Sequence, residues 1–205
     1  MSDTPPAASR PAVFFDRDGT LNVEIERPLV SPEQLVLLPG AAEAVASVNA
    51  AERIALVVTN QSAIARGWMT HFELEQVHAG LRARLAASGA RLDGILHCPH
   101  LPGGGSAPYH RDCACRKPKP GLLHLAARRW NVDLARSWVI GDALRDLESG
   151  AELGVRGILV RTGKGAREAQ RVADLPERAR PFAIVPNVRE AVAVALTTPA
   201  PGQGR

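Results

Sequence analysis

A chain of 205 residues, 45% of them hydrophobic, is long enough to bury one sizeable core, and none of its apolar runs approaches a membrane span. Net charge is +4 with a pI near 9.4, carried by scattered arginines and only three lysines, Lys117, Lys119 and Lys164. With aromatics at 4% there is no interleaved basic and aromatic surface for nucleic acid, whereas the charge favours small anions such as phosphate esters.

The N-terminal MSDTPPAASR has no signal-peptide apolar core, so a cytoplasmic protein is expected. Six short apolar runs read as strands: 12–15, 54–58, 94–97, 138–140, 157–160 and 182–185. Between the first two, Pro39-Gly40 opens a helix that should run through Glu52. Thr70 predicts an N-cap, with Glu73 completing a capping box and Leu74, Val77, Leu81 and Leu85 keeping helical spacing. Pro120 fits the first turn of a third helix, with Leu122, Leu123, Ala126, Ala127 and Trp130 on its inner face. Alternating strands and helices predict an α/β fold: a Rossmann-like parallel sheet with helices on both faces. Residues 11–197 are expected to form one domain without a large cap, and the Pro-, Ala- and Gly-rich ends, 1–10 and 198–205, to be mobile tails.

Three of these strands run straight into polar residues: VFF into Asp16, LVV into Thr59 and VIG into Asp142. In a parallel sheet such ends share one edge, where open α/β folds bind ligands. Asp16, Asp18, Asp142 and Asp146 would repel one another there without a cation, and Mg²⁺ suits such hard oxygen donors. A phosphate monoester would need a further cation, which Lys117 in CRKPKPG supplies beside Arg116. Gly19-Thr20 should expose backbone N–H groups to phosphate oxygens, and the Thr59 hydroxyl and Asn60 amide could donate to the same group.

All three cysteines lie in residues 98–115. Cys98-x-His100 and Cys113-x-Cys115 supply four ligands for a tetrahedral structural Zn²⁺ site, and three cysteines cannot all pair as disulfides. His97 and His110 are rival donors, although His97 should point away from Cys98 on a continuing strand. His71, His78 and His124 fall on predicted helices, where packing or surface roles are the commoner explanation. Trp68, Trp130 and Trp138 read as core or rim packing. The basic RTGKG at 161–165, which lacks the full phosphate-loop spacing, reads as a turn, with distal substrate contact as the alternative because it follows the strand after Asp142.

Together the motifs D-x-D-G-T, V-V-T-N-Q-S, C-R-K-P and I-G-D-x-x-x-D resemble those of the haloacid dehalogenase (HAD) superfamily of phosphohydrolases. The resemblance implies that Asp16 is a nucleophile forming an aspartyl phosphate and Asp18 the general acid and base. It implies Mg²⁺ held by Asp16, the Asp18 carbonyl and Asp142, and Thr59 and Lys117 stabilising phosphoryl charge. Asp146 would orient the metal waters or Lys117, unless it is a helix-surface acid.

C-x-H…C-x-C before R-K-P, with D-R-D-G-T and T-N-Q-S-x-I-A-R-G, is similar to one subfamily. Its members are the D-glycero-D-manno-heptose 1,7-bisphosphate 7-phosphatases and the related histidinol-phosphate phosphatases. That implies substrate contacts from Glu24, Arg27, Asn60, Gln61, Ser62 and Arg116, and removal of the 7-phosphate of the heptose bisphosphate, with histidinol phosphate as the alternative. Ala143 departs from the pattern, since the heptose enzymes often carry a basic residue there. A monomer acting on a small phosphorylated substrate, without nucleic-acid or membrane partners, is expected. The rival of another class, a zinc-stabilised nucleic-acid-binding module, leaves Asp16, Asp18, Lys117 and Asp142 without a role.

Overall fold

A computed structural model describes residues 8–199, so 1–7 and 200–205 of the expected tails lie outside the described residues, while Arg10, expected in the N-terminal tail, is the first residue of a strand. Six parallel strands form the sheet: β1 (Arg10–Phe15), β2 (Ile54–Asn60), β3 (Gly94–Cys98), β4 (Val132–Gly141), β5 (Arg156–Val160) and β6 (Ala183–Val185). Their order is β3-β2-β1-β4-β5-β6. The helices are α1 (Ala41–Ala50), α2 (His71–Ala86), α3 (Gly121–Trp130), α4 (Leu144–Ala151), the one-turn α5 (Gly165–Glu168) and α6 (Val188–Thr197).

The central strands β1 and β2 and the second half of β4 read as unbroken apolar runs because both sheet faces are covered there, whereas the edge strand β6 is only partly buried. Along β1, Val13 and Phe15 enter a core lined by residues of α1, α2 and α6, while Ala12 and Phe14 enter the opposite core with Leu122, Leu123 and Ala126 of α3. Each fully buried phenylalanine contributes about 1.5–3 kcal/mol relative to exposure. Thr70 caps α2 as expected: its Oγ1 accepts from the Glu73 amide (3.2 Å), and Glu73 Oε2 accepts from the Thr70 amide (2.7 Å).

Two features were not anticipated. β4 begins six residues early, where the polar VDLARS continues the ladder against Arg10 and Pro11 across a register shift. Strand pairing there follows tertiary contact rather than apolarity. α5 and α6 also lack a predicted counterpart, and α4 is implied only by the helix-surface reading of Asp146. α6 did carry a signal, since Asn187 Oδ1 accepts from the Glu190 amide at 3.1 Å as an N-cap. Among the described residues no helix is long and apolar enough to cross a membrane.

The strand order fixes the site. The chain leaves β1 for β2 on one side and returns from β3 to β4 on the other, and ligands of open α/β sheets lie outside the carboxyl ends of strands at such a switch point.

Candidate active site

Asp16 leaves β1 with its amide still bonded to the Ile140 carbonyl of β4 (2.9 Å), so it sits beside Gly141-Asp142 at the end of β4. Ligand oxygens of Asp16, Asp142 and Asp146 all lie within 4.8 Å of one another. Lys117 reaches in from the loop before α3: its Nζ lies 2.6 Å from Asp16 Oδ1, 2.7 Å from Asp146 Oδ1 and 2.8 Å from the Val58 carbonyl. Asp146 is therefore not a helix-surface acid. It is 1% exposed, and its Oδ2 accepts from the Ala143 amide at 3.0 Å. Lys119, by contrast, pairs at the surface with Asp112.

Charge is under-compensated in this nest. Burial raises Asp16 to about 6 against the attraction of Lys117, with Asp146 and Asp18 adding repulsion. Burial and Asp16 raise Asp142 to about 7. The carboxylates hold Lys117 above its ordinary value despite its burial. The three crowded carboxylates, offset by a single ammonium, form an oxygen donor set that fits a hard divalent cation.

Asp18 points elsewhere. The Arg17 fork grips it through Nη2 at 2.9 and 2.8 Å and Nε at 3.1 Å; Asn22 Nδ2 (3.0 Å) and Gln61 Nε2 (2.9 Å) also donate to it. These partners hold its carboxyl below the ordinary range although burial opposes them. Gln61 Nε2 also donates to Thr59 Oγ1 (3.0 Å), tying the ends of β1 and β2 together. Beside them a cleft of about 190 Å³ is lined by Asp18, Glu24, Arg27, Asn60, Gln61 and Ser62, among others, with the exposed Trp68 also lining it.

Some expected donors are otherwise engaged. The Gly19 and Thr20 amides bond the carbonyls of Asn22 and Arg17 inside the turn (2.8 and 3.3 Å), so they are not free for phosphate. Asn60 exchanges two 3.1 Å bonds with the Lys117 backbone, so its amide anchors the lysine loop rather than facing a phosphoryl group. Arg116 Nη1 donates to the His100 carbonyl (3.0 Å), and the residue does not line the cleft.

The loop after β5, read as a turn, closes over the acids. Lys164 donates its amide to Asp142 Oδ2 (2.8 Å), its ammonium pairs with Glu24, and Thr162 Oγ1 donates to the Gly19 carbonyl (2.6 Å). Gly19 (φ +79°) and Gly163 (φ +55°) flank Asp142 so tightly that an added Cβ would meet its Oδ2 at 2.3 and 2.2 Å. Position at the end of a neighbouring strand was the one sequence signal for this role.

The second cluster is the cysteine loop. His100 Nδ1 lies 3.5 Å from Cys98 Sγ and 3.4 Å from Cys115 Sγ; Cys113 Sγ lies 3.6 and 3.4 Å from Cys98 and Cys115. With Zn–S near 2.3 Å and Zn–N near 2.0 Å, a tetrahedral site places its donors about 3.5–3.8 Å apart, so these four fit zinc. Burial pushes the Cys98 thiol far above its ordinary value, a penalty that a bound cation would offset. Neither rival histidine belongs to this group.

A HAD-hydrolase-like family model matches residues 114–191. A protein of Pseudomonas putida named D-glycero-beta-D-manno-heptose-1,7-bisphosphate 7-phosphatase is 38% identical over 159 residues, covering 78% of this chain and 87% of the relative. The protein of that name from Bordetella bronchiseptica is 39% identical over 168 residues, covering 82% and 89%. Among solved structures, the D,D-heptose 1,7-bisphosphate phosphatase of B. bronchiseptica complexed with magnesium and phosphate superposes with a TM-score of 0.80. It is 34% identical and covers 91% of this chain and 98% of that one.

Proposed function

The chain belongs to the HAD-like hydrolase family of these heptose-bisphosphate phosphatases, and from that premise we propose that it removes the 7-phosphate of D-glycero-D-manno-heptose 1,7-bisphosphate. The observation that carries the reading is the convergence of Asp16, Asp142, Asp146 and Lys117 at the sheet's switch point, beside a polar cleft that ends on Asp18.

In this reading Asp16 and Asp142, with the Asp18 carbonyl, would hold Mg²⁺, which supplies positive charge against the phosphoryl oxygens and keeps Asp16 ionised. The Asp16 carboxylate attacks phosphorus in line; the P–O bond to the sugar breaks, and Asp18 gives the leaving alkoxide its proton. Asp18 then takes a proton from the water that hydrolyses the aspartyl phosphate. Its partners poise Asp18 as the base of the second half, and an arriving phosphate dianion raises it toward the acid form needed in the first. Lys117 neutralises equatorial oxygen charge, and the Thr59 hydroxyl at the end of β2 would donate to the same oxygens. Asp146 positions Lys117. Zinc on Cys98, His100, Cys113 and Cys115 is structural and fixes the loop that leads into Arg116 and Lys117; reduced thiols suit a cytoplasmic setting. Glu24, Arg27, Gln61 and Ser62 meet the sugar, and the protein acts as a monomer.

Phosphate release from both anomers of the bisphosphate and from histidinol phosphate, with and without Mg²⁺, tests the assignment. Mg²⁺-dependent release with preference for the bisphosphate is expected; preference for histidinol phosphate overturns the substrate. Asp16→Asn should abolish turnover with unchanged folding and zinc content, and substantial residual activity rules out Asp16 as nucleophile.

A further inference from the structure

We propose that Glu75, His78 and His97 form an accessory site for a divalent transition-metal ion, separate from both the acidic nest and the cysteine loop. One ligand atom from each of the three lies within 4.8 Å of the other two. Glu75 and His78 stand three residues apart on one face of α2, and His97 faces them from β3. His97 is excluded from the cysteine loop by strand alternation: Cys98 enters the core under α3, whereas the His97 ring lies 5.7 Å from those of His78 and His71.

The His78 ring has no settled partner. The residue is 3% exposed, its Nε2 finds no hydrogen-bond acceptor or donor among the described residues, and its Nδ1 is 3.5 Å from Glu75 Oε1. That separation is too long for a good charge-assisted bond. Ring packing would explain the His–His approach and helix spacing alone sets Glu75 beside His78, but neither gives the buried His78 Nε2 a partner. Two imidazoles and a carboxylate with open positions form a ligand set for zinc, cobalt or nickel rather than for magnesium. Such donors must close to about 3.3 Å around a tetrahedral ion, and the Glu75 side chain, 64% exposed, is free to move. Arg17, the buried cation felt by both imidazoles, is already neutralised by Asp18. His71 is not counted, because its Nε2 meets the Tyr109 hydroxyl at 2.9 Å.

The test is titration of tag-free, full-length, zinc-loaded protein with Co²⁺ in saturating Mg²⁺, reading metal equivalents by mass spectrometry and coordination by visible absorption. Wild type should hold two transition-metal equivalents, the cobalt lacking thiolate charge-transfer absorption and persisting in Asp142→Asn. Glu75→Gln and His97→Gln, both at residues with solvent-accessible surface, should each reduce the total to one without changing Mg²⁺-dependent turnover. A wild type with one equivalent, either variant with two, loss of the cobalt in Asp142→Asn, or a thiolate band on the added cobalt would overturn the proposal.

Discussion

Lys117→Met removes an ammonium shared by Asp16, Asp146 and the Val58 carbonyl at 2.6–2.8 Å. The lysine side chain is 1% exposed, so water cannot replace it, and breaking a buried ion pair from one side costs about 3–5 kcal/mol. Protonation bounds that cost. Asp16 already titrates near 6 with Lys117 in place, and without its attraction the value must rise further. The folded variant then holds a proton that the unfolded chain, with an ordinary value of 3.8, has lost. Stability therefore falls with rising pH, by about 1.4 kcal/mol per unit. Wild type stops losing stability from Asp16 above about pH 6, while the variant continues. Between pH 6 and pH 7.5 the deficit should widen in urea unfolding without Mg²⁺, by at most about 2 kcal/mol from Asp16. Turnover should drop by about 10²–10³ or more, through lost charge stabilisation and a protonated nucleophile. A deficit that is flat across this range, with turnover within a few-fold of wild type, would refute Lys117 as the counter-ion of the nest.

Three further outcomes follow from the same geometry. Because Asp16 and Asp142 titrate near 6 and 7 when buried without metal, metal-free stability should decline as pH rises through about 4–7. The thermal shift given by Mg²⁺ should accordingly be larger at pH 8 than at pH 5.5; an equal shift at both would contradict those values. Gly19→Ala forces a Cβ to within 2.3 Å of Asp142 Oδ2 at φ +79° and should cost more than the about 1–3 kcal/mol of backbone strain alone. Gly89→Ala, at φ +73° with open space around it, isolates that strain, and equal losses in chemical denaturation would dismiss the clash. Cys113→Ser should remove the thiolate-bound zinc and lower the melting temperature, and an unchanged zinc signature would show the ligand set to be wrong.

The strands, the three earlier helices and the main site residues were legible because each rests on local chemistry. Unbroken apolar runs must be buried on both faces, Thr70 and Glu73 close their own capping box, and acids at strand ends need only the parallel rule to converge. The cysteine spacing likewise identified four donors that lie 3.4–3.6 Å apart in the loop. Tertiary structure alone decided which polar groups remain free. It committed Asn60 to the Lys117 backbone and the Gly19 and Thr20 amides to their own turn. It buried Asp146 against Lys117 and brought Thr162, Gly163 and Lys164 over Asp142 from more than a hundred residues beyond Asp16. A hydrogen-bond donor has many candidate acceptors in sequence and only a few within 3 Å in space, so residue type could nominate this chemistry but only packing could assign its partners.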